Sequence, residues 1–339
     1  MRRRRGPGRT AALVGYTLVA LALGAVLGWL AVHQVSLGQL LDVLAGASFP
    51  LVLLGEVFTV GAGVLRGVRW WLLLCPWRPS PVRMVLVDHV AEALNTIGPL
   101  RFLGEPVQFG ILTLRDHLPG GPVLGSQVVQ RVLDLALPVL LVGVGLVLLP
   151  PLGPLARPLA TALVVAVIVG VGFFALGPRV RALPLVGRMR PVRELGGYVG
   201  ALRHRPAALA ATVLLTVAYQ VALGLAGWAM ALAVGLPIDA LAAVLLGITA
   251  VFISGNVPGL FGALGAFECA VVYLLGLLAV EPERALGFAL LLHTVFLLPP
   301  VVIAVAFLLG EGVRSAEALR PLLRRWREHR AAPFEGDER

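Results

Sequence analysis

Six apolar runs dominate the chain, at about 11–32, 49–74, 123–149, 158–176, 207–234 and 285–309. Each is long enough to cross a bilayer, which takes about 20 consecutive apolar residues as helix. Two further stretches, 84–118 and 240–280, are apolar but interrupted by Gly, Pro and polar side chains. The first contains NTIGPLRFLGE and the second SGNVPGLFGALGAFE. Each has room for two short helices and not for two comfortable spans. The pattern predicts an all-α polytopic membrane protein of about six full spans plus two broken helical hairpins.

Composition supports this class and removes others. Of the 339 residues 58% are hydrophobic and 14% charged, with a mean hydropathy of +0.92. Soluble domains are about 45–50% apolar and about 25% charged. A soluble enzyme, a DNA-binding domain and a disordered tail are therefore excluded. Lipid accepts only segments that satisfy their own backbone, which here means helices.

The net charge is +10, and all 28 basic residues are arginine. They cluster at Arg2–Arg5, Arg66–Arg83, Arg179–Arg205 and Arg314–Arg330, beside apolar runs. That is the positive-inside arrangement rather than a nucleic-acid footprint. It puts the amino terminus, the Arg66/Arg69/Arg78/Arg83 cluster, the 177–205 loop and the tail on the cytoplasmic side, and loops 150–157 and 235–239 outside. Both termini are expected in the cytoplasm of a bacterial or archaeal cell, with the chain multi-pass in the plasma (inner) membrane. The first run exceeds a signal-peptide core and lacks a convincing cleavage site, so it reads as a retained helix. The domain reading is a basic terminus 1–10, a transmembrane domain 11–310 and a basic tail 311–339.

This orientation makes 84–118 begin and end inside and 240–280 begin and end outside. Both stretches fit re-entrant hairpins, one from each face; pairs of short crossings are the alternative. The halves 11–149 and 158–309 then read as an inverted repeat. The hairpin tips also correspond, with Asn95, Pro99, Gly104 and Glu105 in one and Asn256, Pro258, Gly265 and Glu268 in the other. Broken helices at matching positions of inverted halves point to a midplane binding site in transporters.

An ionisable group inside a span costs about 2.5–3.5 kcal/mol on insertion scales and needs a reason. Those present are Glu56, Asp88, His89, Glu92, Arg101, Glu105, Arg131, Asp134, Glu268 and His293. Arg131 and Asp134 lie three apart on one helix side. They either form a structural ion pair or leave Arg131 partly free for an anion. Arg101, between Pro99 and Gly104, sits where a broken backbone exposes amide donors; it either snorkels to the interface or helps bind phosphate or carboxylate. Glu105 and Glu268 either neutralise the arginines or carry protons, and Glu268 also suits a helix start. Asn95 and Asn256 would satisfy backbone groups at the breaks. His89, His293, Cys75 and Cys269 have no metal-ligand spacing, and no cofactor fingerprint occurs. Neither a metal nor a cofactor is expected.

Four segments in order, RGVRWWLLL (66–74), ALNTIGPLRFLGE (93–105), QRVLD (130–134) and GNVPGLFGALGAFE (255–268), resemble the lysylphosphatidylglycerol synthase transmembrane family. This is the flippase-like domain also found at the amino end of the multiple peptide resistance factor. Matching positions are Arg69, Trp70, Asn95, Pro99, Arg101, Gly104, Glu105, Arg131, Asp134, Pro258, Gly265 and Glu268. The chain departs from the pattern at Leu103, Gln108, Gln130 and His293, positions that bear on headgroup preference.

The resemblance implies a lipid-handling membrane protein whose partners are membrane lipid and a separate lipid-modifying enzyme. The roughly 30 residues after Leu309 cannot hold an aminoacyl-transferase domain, so no enzyme activity is expected of the chain itself. The expected function is flippase-like transport of an anionic or modified phospholipid. Arg101 and Arg131 would hold the phosphate, and Glu105, Asp134 and Glu268 would tune the charge. Asn95, Asn256, Pro99, Pro258, Gly104, Gly265 and His293 would support them. The alternatives are a proton-coupled small-anion transporter and an accessory factor of polyprenyl-lipid glycosyl transfer.

Overall fold

The computed structural model describes residues 7–33, 35–77, 79–97, 103–148, 161, 165, 172, 190–256 and 264–310. Every extended element among them is helical. In chain order they are α1 (Pro7–Val32), α2 (Leu37–Ala45), α3 (Phe49–Leu74), α4 (Pro81–Ile97), α5 (Gly104–Gly110), α6 (Gly120–Leu148), α7 (Arg190–Arg203), α8 (Pro206–Ala233), α9 (Ala240–Asn256), α10 (Ala266–Leu277) and α11 (Pro282–Gly310). Helix starts follow local chemistry. Pro81, Pro206 and Pro282 each open a helix, where the missing N–H is not needed. Asp239 Oδ1 accepts the Ala242 N–H (2.8 Å) and caps α9.

Among the described residues four helical stretches are long and apolar enough to cross a membrane: Phe49–Leu74, Gly120–Leu141, Pro206–Ala233 and Pro282–Gly310. The 11–32 run folds as α1, but the chain then turns by 85° into α2, so that pair adds at most a fifth span. The 158–176 run lies outside the described residues except for 161, 165 and 172, as do both terminal tails apart from Pro7–Thr10. Among the described residues the expectation of six full spans is thus corrected to four, or five with the bent pair. The inverted repeat is not shown either, because its second half would start in that undescribed run. The two interrupted stretches each resolve into two helices flanking a break, α4 with α5 and α9 with α10, as their Gly and Pro content predicts.

The surface is inside-out relative to a soluble protein. Large aliphatic and aromatic residues stand open on the outer helix faces, with Phe49 at 68%, Val57 at 64% and Leu214 at 69% exposure. Such faces are stable only against lipid. Inside, α3 runs along α8, and α8 along α9. Helices α4, α10 and α11 close the bundle; α1 packs on α10, and α2 on α11. The α8–α9 crossing is a backbone-to-backbone contact. A Cβ built on Gly227 would lie 2.8 Å from Gly247 Cα, and one on Gly224 would lie 2.8 Å from Val244 O. Membrane helices gain from such proximity because packing, not the hydrophobic effect, drives their association. The amphipathic α7 lies against α6 through Tyr198, Val199 and Leu202. Tyr198 Oη donates to Leu73 O (3.1 Å) at the end of α3.

Candidate functional site

The interior of the bundle holds a chain of buried charges. Arg69, 1% exposed, projects from α3 and grips Asp134 of α6 with both guanidinium nitrogens, Nη1 to Oδ1 at 2.5 Å and Nη2 to Oδ2 at 3.0 Å. This is the fork geometry for which arginine is suited. Arg69 also donates to Gln130 Oε1 (3.0 Å) and Thr216 Oγ1 (3.2 Å), and lies 5.0 Å from the Tyr219 ring centroid. The Tyr219 hydroxyl donates to Asp134 Oδ1, and Gln220 Nε2 donates to Tyr219 Oη at 3.0 Å. One turn earlier on α3, Arg66 Nε donates to Asp88 Oδ2 (2.6 Å), and its Nη1 meets Glu92 Oε2 (3.0 Å). Gln108 Nε2 of α5 donates to Asp88 Oδ1 at 3.4 Å. The α5 break is therefore tied back to α4 and α3 by polar side chains.

These groups border a cavity of about 190 Å³ between α3, α4, α6, α8 and α11. Arg66, Glu92, Arg131, Asp134, Tyr219 and His293 line it. Pro138 of α6 and Pro300 of α11 line it as well. A proline inside a helix withdraws the donor for the carbonyl four residues earlier, here Asp134 and Phe296. His89 donates from Nδ1 to Val85 O (2.8 Å) and seats its ring against Gly63, where any Cβ would collide with it.

Both helix breaks end on a glycine amide held by a side-chain oxygen. Asn95 Oδ1 accepts the Gly104 N–H at 2.7 Å. Glu268 Oε2 accepts the Gly265 N–H at 2.6 Å, which is one arm of a capping box at the start of α10. The other Glu268 oxygen accepts the His293 Nδ1–H at 2.5 Å, and the Phe267 ring stands 4.7 Å from the imidazole.

The residues singled out in the sequence meet unevenly. Arg131, Asp134 and His293 reach the cavity wall, with Asn95 beside them. Arg131 lies 3.9 Å from Glu105 Oε1, and the other Glu105 oxygen is buried without a hydrogen-bond partner. Asp134 takes its bidentate partner from α3 rather than from Arg131 one turn away, because the Gln130–Asp134 face of α6 is the one turned toward α3 and α8. Pro99, Arg101 and Pro258 lie outside the described residues. Asn256 is the last residue of α9, and its side chain also falls outside the description.

Sequence reasoning missed Arg66 as a cavity residue and Arg69 as the buried partner of Asp134, by grouping both with the basic helix end. It also missed Tyr219, Thr216 and Gln220. Signals for them existed. Leu72–Leu74 continue the apolar run past Arg69, and Thr212, Thr216 and Tyr219 recur at helical spacing in an otherwise apolar span.

Fold and site together define a polytopic helical membrane protein with a charge-lined cavity at the meeting of its spans and a broken helix. The sequence matches the family described as lysylphosphatidylglycerol synthase TM region over residues 17–304, most of its length, and the chain belongs to that family. No curated protein matches it. The family makes it a lipid-related membrane protein.

Proposed function

We propose that the protein moves a phospholipid headgroup between leaflets of the plasma membrane, as a flippase-like transporter of an anionic or modified phospholipid that acts on the lipid without transferring an aminoacyl group to it. One observation carries this reading: a cavity with paired guanidinium and carboxylate groups sits inside a bundle whose outer faces are aliphatic. A charged headgroup crossing hydrocarbon needs such a lining, since each unpaired charge there is expensive. Arg131, half-exposed on the cavity wall and 3.9 Å from Glu105 Oε1, is placed to meet a phosphate there. Arg101, between Pro99 and Gly104 in the sequence, is the second proposed phosphate partner. Arg66, Asp134 and Glu105 keep the cavity near charge balance around the visitor. Both termini lie in the cytoplasm, and a separate enzyme supplies the modified lipid.

The test is a leaflet assay in vesicles with a short-chain fluorescent phosphatidylglycerol and dithionite quenching. Arg131→Ala and Arg101→Ala each slow exchange at least tenfold; exchange at the wild-type rate in both variants refutes the assignment. A second reading, proton-coupled transport of a small anion, draws on the His293–Glu268 hydrogen bond at the cavity wall. Uptake of a soluble phosphate ester into vesicles driven by a pH gradient, with no lipid exchange, would decide for it.

A further inference from the structure

A second cavity, of about 520 Å³, lies between α1, α2, α10 and α11. Its lining is aliphatic or glycine throughout, with Leu21, Leu37, Leu264 and Leu286 among it, and carries one ionisable side chain, Glu268. Leu21, Leu37 and Leu264 are 48%, 66% and 56% exposed, so the cavity opens toward the lipid-facing surface. Two glycines allow its closed side to form. A Cβ on Gly24 would stand 3.0 Å from Leu264 O, and one on Gly28 would stand 3.4 Å from Gly265 Cα. The α1 backbone therefore rests directly on the turn that starts α10.

This cavity and the polar one share a wall. Phe267 lines the polar cavity and its neighbour Glu268 lines the apolar one. Glu268 Oε1 accepts the hydrogen bond from His293, which lines the polar side. A polar chamber and an apolar chamber thus adjoin where Phe267, Glu268 and His293 meet. A membrane lipid has the same division, a charged end joined to a hydrocarbon end.

We infer that the apolar cavity holds one hydrocarbon chain of the lipid whose headgroup occupies the polar cavity, with the Glu268–His293 pair as the wall between them. The size suits this, since cavities that enclose small ligands run about 300–1,000 Å³. The inference rests on the lipid-transport reading and adds where the tail goes during transport.

The full chain in vesicles of phosphatidylglycerol and phosphatidylethanolamine, with a trace of phosphatidylglycerol carrying a diazirine halfway along one acyl chain, provides the test. Irradiation followed by peptide mapping should place lipid adducts on segments 21–40 and 264–290. Ala25→Trp and Leu290→Trp fill the cavity from positions that are not fully buried. Each should cut those adducts at least fivefold and slow leaflet exchange severalfold, at unchanged gel-filtration elution. Adducts spread over the outer faces of α3 and α8 and unaffected by the tryptophans overturn the inference, and so does a chain-to-chain crosslink in place of a lipid adduct. The two readings fail separately. Wild-type exchange in variants that have lost the adducts removes the tail cavity and keeps transport. Adducts at 21–40 and 264–290 without any leaflet exchange keep the tail cavity and remove transport.

Discussion

Removing one or both partners of the Arg69–Asp134 pair should give a strongly non-additive set of stabilities. Breaking a buried pair by deleting one partner costs about 3–5 kcal/mol, whereas replacing both charges with apolar groups is often neutral or better. The side chains differ in access to water: Arg69 is 1% exposed and Asp134 27%. After Asp134→Ala the guanidinium is stranded, with only Gln130, Thr216 and the Tyr219 ring to meet it. That loss belongs at the top of the range, about 5 kcal/mol. After Arg69→Met the carboxylate faces the cavity, where water reaches it, and keeps the Tyr219 hydroxyl. That loss belongs at the bottom, about 3 kcal/mol. The double variant Arg69→Met/Asp134→Leu leaves no unpaired charge and should be the most stable of the three; the single losses sum to about 8 kcal/mol, so a double loss under about 3 kcal/mol means a coupling of more than about 5 kcal/mol. At about 2–4 °C per kcal/mol for a large domain, Tm falls by roughly 10–20 °C for Asp134→Ala and roughly 6–12 °C for Arg69→Met. Thermal unfolding in maltoside micelles, followed by tryptophan fluorescence, measures all three. Additive losses, or Arg69→Met less stable than Asp134→Ala, would refute the argument.

Two further expectations concern the helix breaks. Gly265→Ala introduces a side chain where φ is +86° and where its Cβ would run into Gly24 O; the strain alone is about 1–3 kcal/mol, and peptides covering 17–32 should exchange amide hydrogens faster as α1 lifts from α10. Asn95→Ala leaves the Gly104 N–H without its acceptor, at about 1–3 kcal/mol, whereas Asn95→Asp keeps the acceptor; a Tm equal for both substitutions would show that this bond does not hold the break.

The sequence made the long helices legible because an uninterrupted apolar run in lipid has one way to satisfy its backbone. Helices α3, α8 and α11 follow the runs within a few residues. The breaks after Ile97 and Asn256 were legible for the opposite reason, since Gly and Pro cannot continue the pattern. What periodicity alone did not disclose is which helix face meets which. Arg69 reads as an interfacial arginine from its place near a span end. It becomes a core residue only because α6 and α8 bring Asp134 and Tyr219 to it from 65 and 150 positions further along the chain. The sharp turn after α1 likewise follows from the packing of α1 on α10 and α2 on α11, partners distant in sequence.

The glycine contact between α8 and α9 bears on how the cavity could change shape. With Gly224 and Gly227 set against Gly247 and its neighbours, sliding one helix along the other would drive backbone into backbone. The contact therefore holds the two helices at close backbone separation. Thr216, Tyr219 and Gln220 on α8 and Phe252 on α9 belong to this pair. Any hinge belongs elsewhere, beside Gly104 and Gly265, where a helix begins and one side-chain oxygen holds its first turn in place. Two hydrogen bonds then act as the latches of whatever motion opens the site, and the central blade keeps its form.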